Sequence, residues 1–184
     1  DSNPVSDKRS GYRERFIHGE IYRARPDVMS VVHCHATSLI PFSISKTPLR
    51  PVYHNSAFIG QGVPNFEIRD AQQGTDLLVK TPYLGAALAK CLGQCPAATM
   101  RGHGAVVVGE SLARSVGRSI YLEMSAKMQI QAQLLAGVGG KLLTLHDSEI
   151  AASVPAQNYN RAWPMWRARA LAQVAAEKTL RDYL

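Results

Sequence analysis

Apolar residues recur along this chain in two rhythms, and the change from one to the other predicts where its elements lie. YRERFIHGEIYRAR (12–25) carries apolar positions at helical spacing and stops at Pro26-Asp27, so it reads as a helix. Glu14, His18 and Tyr22 fall four residues apart on it, along one face. VMSVVHCHA (28–36) is short and β-branched, the pattern of a buried strand, and residues 37–48 suit a short helix. PVYH (51–54) and FEIRD (66–70) read as strands on either side of a Gly60/Gly62/Pro64 loop. Thr81-Pro82 supplies an N-cap and a first-turn proline for a helix to about Leu92. ATM (98–100) and AVVVG (105–109) are strands flanking Arg101-Gly102-His103-Gly104. Ser111 caps a long helix to about Leu135, and Ser148 and Gln157 open two more. The polar stretch 1–11 reads as a loop. Strands and helices mix without strict alternation, which favours a mixed or antiparallel sheet covered by helices.

Composition narrows this. The 184 residues suit one domain, 1–184, able to bury roughly 70% of its unfolded surface. A hydrophobic share of 46% with 19% charged residues excludes a disordered or fibrous chain. No apolar run approaches the ~18 residues that span a bilayer. Lys and Arg number 21 against 14 Asp and Glu, a formal charge of +7 that suits an anionic partner. The basic residues are scattered rather than gathered on one helix or tail, which favours a small anionic substrate over nucleic acid. Cys34, Cys91 and Cys95 form no disulfide framework and no zinc knuckle, so reduced thiols in a cytoplasmic protein are expected.

Chemistry concentrates in the histidines. His33 and His35 are two apart on a strand, so both point to one face with Val31, their Cα atoms about 6.6 Å apart at ~3.3 Å per residue. Imidazoles so spaced can lean together on one ion, or simply be neighbours. Burying two of them in VVHCHA is costly unless each finds a partner. His103, between two glycines, is either a turn histidine or a third ligand. Three neutral imidazoles leave coordination positions open, which is the catalytic arrangement. Glu14, flanked by Arg13 and Arg15, is either a solvated helix residue or an acid/base.

YRERFIHGEIYRARPDVMSVVHCHATS resembles the Glu-bearing helix, RPD turn and HxH strand of the class II aldolase/adducin family, typified by fuculose-phosphate aldolase and ribulose-phosphate epimerase. In that family a Glu lies nineteen residues before the first His of the pair, the spacing of Glu14 and not of Glu20 to His33. A later His in a GHG-like turn completes the metal site, the place of His103. The likeness runs from about residue 12 to 136. RPVYHNSAFIGQGVPNFEIRD and MRGHGAVVVG are similar to a branch of decarboxylases of hydroxylated aromatic dicarboxylates, such as dihydroxyphthalate decarboxylase and hydroxymethylpyridine-dicarboxylate decarboxylase.

The resemblance implies a three-layer αβα fold with a central mixed, largely antiparallel sheet. It also implies that residue 1 lies near the segment before Glu14, with the family's N-terminal helix, strand and anion-binding loop outside this sequence. It implies a divalent-metal-dependent carbon–carbon lyase, with His33, His35 and His103 holding Zn, Mn, Fe or Co. The reaction expected is decarboxylation of a hydroxylated aromatic (di)carboxylate through a metal-stabilised enolate- or phenolate-type intermediate. Glu14 would move the proton, or ligate the metal in the resting state. The alternatives are a sugar-phosphate aldolase or epimerase, and a non-catalytic module like the adducin head. His18, Tyr53 and Arg101 are weaker substrate-binding candidates. A homotetramer with sites at subunit boundaries is expected, with no membrane or nucleic-acid partner.

Overall fold

The computed structural model describes residues 11–137 and 139–177. In chain order the elements are α1 (Arg15–Ala24), β1 (Ser30–Cys34), α2 (Ile40–Ile44), β2 (Asn65–Phe66), α3 (Pro82–Leu92), β3 (Ala97–Met100), β4 (Gly104–Gly109), α4 (Leu112–Ala136), α5 (Asp147–Ala156) and α6 (Trp163–Ala176). Two 3-10 turns, His54–Gln61 and Ile68–Asp70, sit around β2. The stretch read as a polar loop, 1–11, lies outside the described residues except for Gly11.

The strands form one sheet in the order β1-β4-β3-β2. The β1–β4 and β3–β4 pairs are antiparallel, and the short β2–β3 pair is parallel. Alternation sends successive residues to opposite faces. Val31, Ala98, Met100, Val106 and Val108 pack with Ile17 and Ile21 of α1 and Leu84, Leu88 and Leu92 of α3. Ala97, Ala105 and Val107 pack on the other side with Leu122 and Ala126 of α4, Phe42 and Phe58. Helices thus cover both faces, giving the three-layer αβα arrangement with a mixed, largely antiparallel sheet.

Helices α1 and α3 meet at Gly85, where a Cβ would lie 2.4 Å from the Phe16 carbonyl oxygen, so only glycine allows this approach. Thr81 caps α3 by accepting from the Leu84 N–H at 3.2 Å. Ser111 caps α4 likewise, accepting from the Arg114 N–H at 3.3 Å.

Four expectations need correction. PVYH is not a strand. Pro51 has no N–H to give a ladder, and Ser56 Oγ donates to the Tyr53 carbonyl at 2.8 Å, which closes the 3-10 turn that follows. In FEIRD only Phe66 pairs, because the Glu67 carboxylate accepts from the Arg69 N–H at 3.0 Å and winds the chain into a turn. Helix α5 begins one residue before Ser148, with His146 Nδ1 accepting from the Ser148 N–H at 3.3 Å. The last helix starts at Trp163 and not at Gln157, since Pro164 is tolerated in a first turn but not in a helix interior.

Candidate metal centre

Four side chains from three segments of the chain converge at one end of the sheet. His33 is on β1, and His35 follows immediately after it. His103 enters from the turn between β3 and β4, and Glu14 sits at the N-cap position of α1. One ligand atom of each lies within 4.8 Å of all the others.

Local sequence explains the meeting. Val31, packed with α1 and α3, fixes the strand so that His33 and His35 emerge on the same side. The turn before β4 needs both of its glycines. Gly102 has φ +63°, and a Cβ on Gly104 would meet the Cys34 carbonyl oxygen at 2.0 Å. His103 is thereby brought hard against β1.

The geometry is that of a donor cage. His35 Nε2 lies 3.1 Å from the Nε2 atoms of both His33 and His103. The three ring centroids are 4.9 Å apart pairwise. Glu14 Oε2 is 3.7 Å from His33 Nε2 and 3.5 Å from His103 Nε2. Ligands ~2.1 Å from one tetrahedral cation are separated by about 3.4 Å, so the spacing fits.

The outer atoms fix the protonation pattern. His33 Nδ1 faces the Ala105 carbonyl at 3.3 Å and His103 Nδ1 the Leu77 carbonyl at 2.9 Å. A carbonyl only accepts, so both Nδ1 atoms carry the proton and both Nε2 atoms present lone pairs inward. Glu14 Oε1 accepts from the Val79 N–H at 2.9 Å, which leaves Oε2 turned toward the imidazoles. Lone pairs focused on one point fit a divalent cation, with the outer hydrogen bonds orienting its ligands.

Burial favours the neutral form of His33. The His33 imidazole, 6% exposed, has its pKa lowered to about 4, first by burial and then by the His103 ring, with Glu14 opposing. Glu14 itself is buried. The phenol of Tyr12 is pushed above its ordinary pKa by partial burial and by the Glu14 carboxylate, which places it beside this acid.

The weaker candidates lie elsewhere. His18, one turn into α1, is half-buried with its pKa lowered by burial, and does not join the four donors. Tyr53 packs its ring 6.3 Å from that of Tyr121 on α4, the opposite layer, and burial raises its pKa. Arg101 Nε is paired with Glu67 at 2.7 Å, so its charge is already engaged. Reading residue types missed Leu77 and Val79, which act here through backbone groups, and Tyr12. A carbonyl or an N–H leaves no trace in side-chain identity. Tyr12, two residues before Glu14, carried the one visible signal.

Comparison with known proteins follows the same line. A family model described as Class II Aldolase and Adducin N-terminal domain matches residues 1–130. Decarboxylase tropJ of Talaromyces stipitatus is 36% identical over 89% of this chain and 68% of its own length. The 3,4-dihydroxyphthalate decarboxylase of Rhodococcus jostii is 28% identical over 74% of this chain and 54% of its own. The solved L-fuculose 1-phosphate aldolase of Glaciozyma antarctica superposes with a TM-score of 0.68 at 22% identity, covering 92% of this chain and 63% of that one. The chain therefore spans between about half and two-thirds of the length of these proteins.

Proposed function

Because the chain belongs to the class II aldolase and adducin N-terminal domain family, we propose that it is the core of a metal-dependent carbon–carbon lyase that decarboxylates a hydroxylated aromatic carboxylate. The observation that carries this reading is the meeting of Glu14, His33, His35 and His103 within 4.8 Å. Its likeness to two decarboxylases adds the reaction type. Four donors converging on one point argue against a catalytically silent module.

His33, His35 and His103 would hold the cation, whose chemistry when bound is that of a Lewis acid toward the substrate oxygen on which negative charge builds. The ring carbon that loses CO2 keeps the bonding electron pair and needs a proton. Glu14 would deliver that proton from Oε2, while Val79 fixes Oε1 and so aims the carboxyl group. Helices α1 and α3 keep bulk water off the inner side of the site, since Ile17, Ile21 and Leu84 are fully buried. The net charge of +7 favours the anionic substrate.

A homotetramer with sites at subunit boundaries, the assembly that the family resemblance implies, belongs to the same proposal. No helix among the described residues is long and apolar enough to cross a membrane. Cys34, Cys91 and Cys95 are free thiols, which supports a reducing, cytoplasmic setting.

The test is product analysis with the metal-loaded protein. Release of CO2 from a dihydroxyphthalate-type compound is expected. Release of an aldehyde from a ketose phosphate, with no CO2 from the aromatic acid, would replace this reading by the aldolase one.

A further inference from the structure

Between the turn Ile68–Asp70 and α3 the chain runs through residues 71–81 without a helix or strand. Two of its backbone groups, only two residues apart, reach different members of the metal centre. The Leu77 carbonyl accepts from His103 Nδ1 at 2.9 Å, and the Val79 N–H donates to Glu14 Oε1 at 2.9 Å. Both can do so only because the chain turns sharply at Leu77, which has φ +70°. It is the one non-glycine residue with positive φ among the described residues. A branched L-residue is disfavoured there by the clash of its Cβ with the backbone.

Neighbouring contacts hold this conformation. Thr75 Oγ1 accepts from the Leu77 N–H at 3.0 Å, and Asp76 Oδ1 from the Leu78 N–H at 3.3 Å. Lys80 Nζ pairs with Asp76 Oδ2 at 2.6 Å. The Leu77 side chain packs at the edge of the α1–α3 core, beside Gly102 of the histidine turn. Strain over-determined by surrounding contacts is typical of a segment whose backbone direction matters to a site.

We propose that Leu77 is a positioning residue: its left-handed backbone aims its carbonyl at His103 and, through Val79, sets the orientation of Glu14, so that the third imidazole and the acid are held by one clip. This rests on the metal-centre reading above. The role belongs to the backbone conformation and not to the volume of the side chain.

That distinction gives the experiment. Leu77→Gly, Leu77→Asn and Leu77→Val are compared for Zn²⁺ affinity, by competition with a chromophoric chelator, and for melting of the metal-free protein. Glycine and asparagine tolerate positive φ, whereas valine does not. The proposal expects Gly and Asn within about 3-fold of the wild type and Val about 10–100-fold weaker, the usual loss when the support of a ligand is disturbed. A packing role predicts the reverse order, with Val mildest and Gly worst, and that result overturns the proposal. Should Leu77→Val fail to fold, ¹⁵N NMR of His103 in the metal-free wild type still tests it. A proton on Nδ1 is expected, and a proton on Nε2 instead overturns it. A wild type that binds no Zn²⁺ refutes the metal-centre reading itself, whereas Zn²⁺ binding with the packing order refutes only the role of Leu77.

Discussion

At Glu14 the two carboxylate oxygens have different duties: Oε1 is held by the Val79 N–H, and Oε2 faces the imidazoles. Replacement by glutamine preserves an acceptor for Val79 but removes the exchangeable carboxyl proton. Glu14→Gln should therefore keep the metal, held by three imidazoles, and lower turnover by about 10²–10⁴-fold, the weight of a positioned proton shuttle. Metal analysis beside turnover of the same preparation checks this, and full activity would remove Glu14 from the reaction. His33 gives a pH prediction for the metal-free protein. Its folded pKa, about 4, lies below the ordinary value of 6.5. As pH falls from about 6.5 to 4 the unfolded chain takes up a proton that the folded chain refuses, so stability drops across that window. Denaturant unfolding between pH 7 and 4 should show this slope, and His33→Ala should flatten it. At this scale the side-chain donors were legible: HxH on a strand, a glycine-flanked His103, and Glu14 at the family's spacing. Leu77 and Val79 were not, because hydrogen bonds made by the main chain depend on where a loop passes.

Among the elements, α1 decides where Glu14 sits, and its closeness to α3 rests on Gly85. A methyl group there would lie 2.4 Å from the Phe16 carbonyl oxygen, in backbone that cannot swing aside. Gly85→Ala should destabilise by about 1–3 kcal/mol, as overpacking does, and weaken catalysis by moving the start of α1. Thr81→Ala provides the contrast. It loses one cap to Leu84 and should cost about 1 kcal/mol in chemical unfolding while leaving metal affinity intact. Helices with such caps, α3 and α4, were readable nearly to the residue. Elements set by a competing local hydrogen bond were not: Ser56 and Glu67 turned two apolar runs away from strand geometry, and Pro164 delayed the last helix. Apolar periodicity states a preference, and a nearby side-chain acceptor or a missing N–H can overrule it.

Across the whole molecule, the sheet brings together donors nearly ninety residues apart in sequence, from Glu14 to His103. A cation bound only by the folded arrangement must stabilise it, by about 2.7 kcal/mol at a hundred times its dissociation constant. Treatment with a chelator should lower the melting temperature, and re-addition of Zn²⁺, Mn²⁺, Fe²⁺ or Co²⁺ should restore it. The layering was legible because alternation along residues 31–36 sends Val31 to one core, and Val32, Cys34 and Ala36 to the other. The strand order β1-β4-β3-β2 was not, since pairing partners are chosen by three-dimensional packing and not by alternation along one strand.

The most direct measurement is elemental analysis of the purified chain after exposure to divalent metal, alongside its His33→Ala/His35→Ala variant. One ion per chain in the wild type, absent from a folded variant, is the predicted result. A wild type that retains no ion, or a variant that keeps it in full, would contradict the metal centre on which the lyase reading stands.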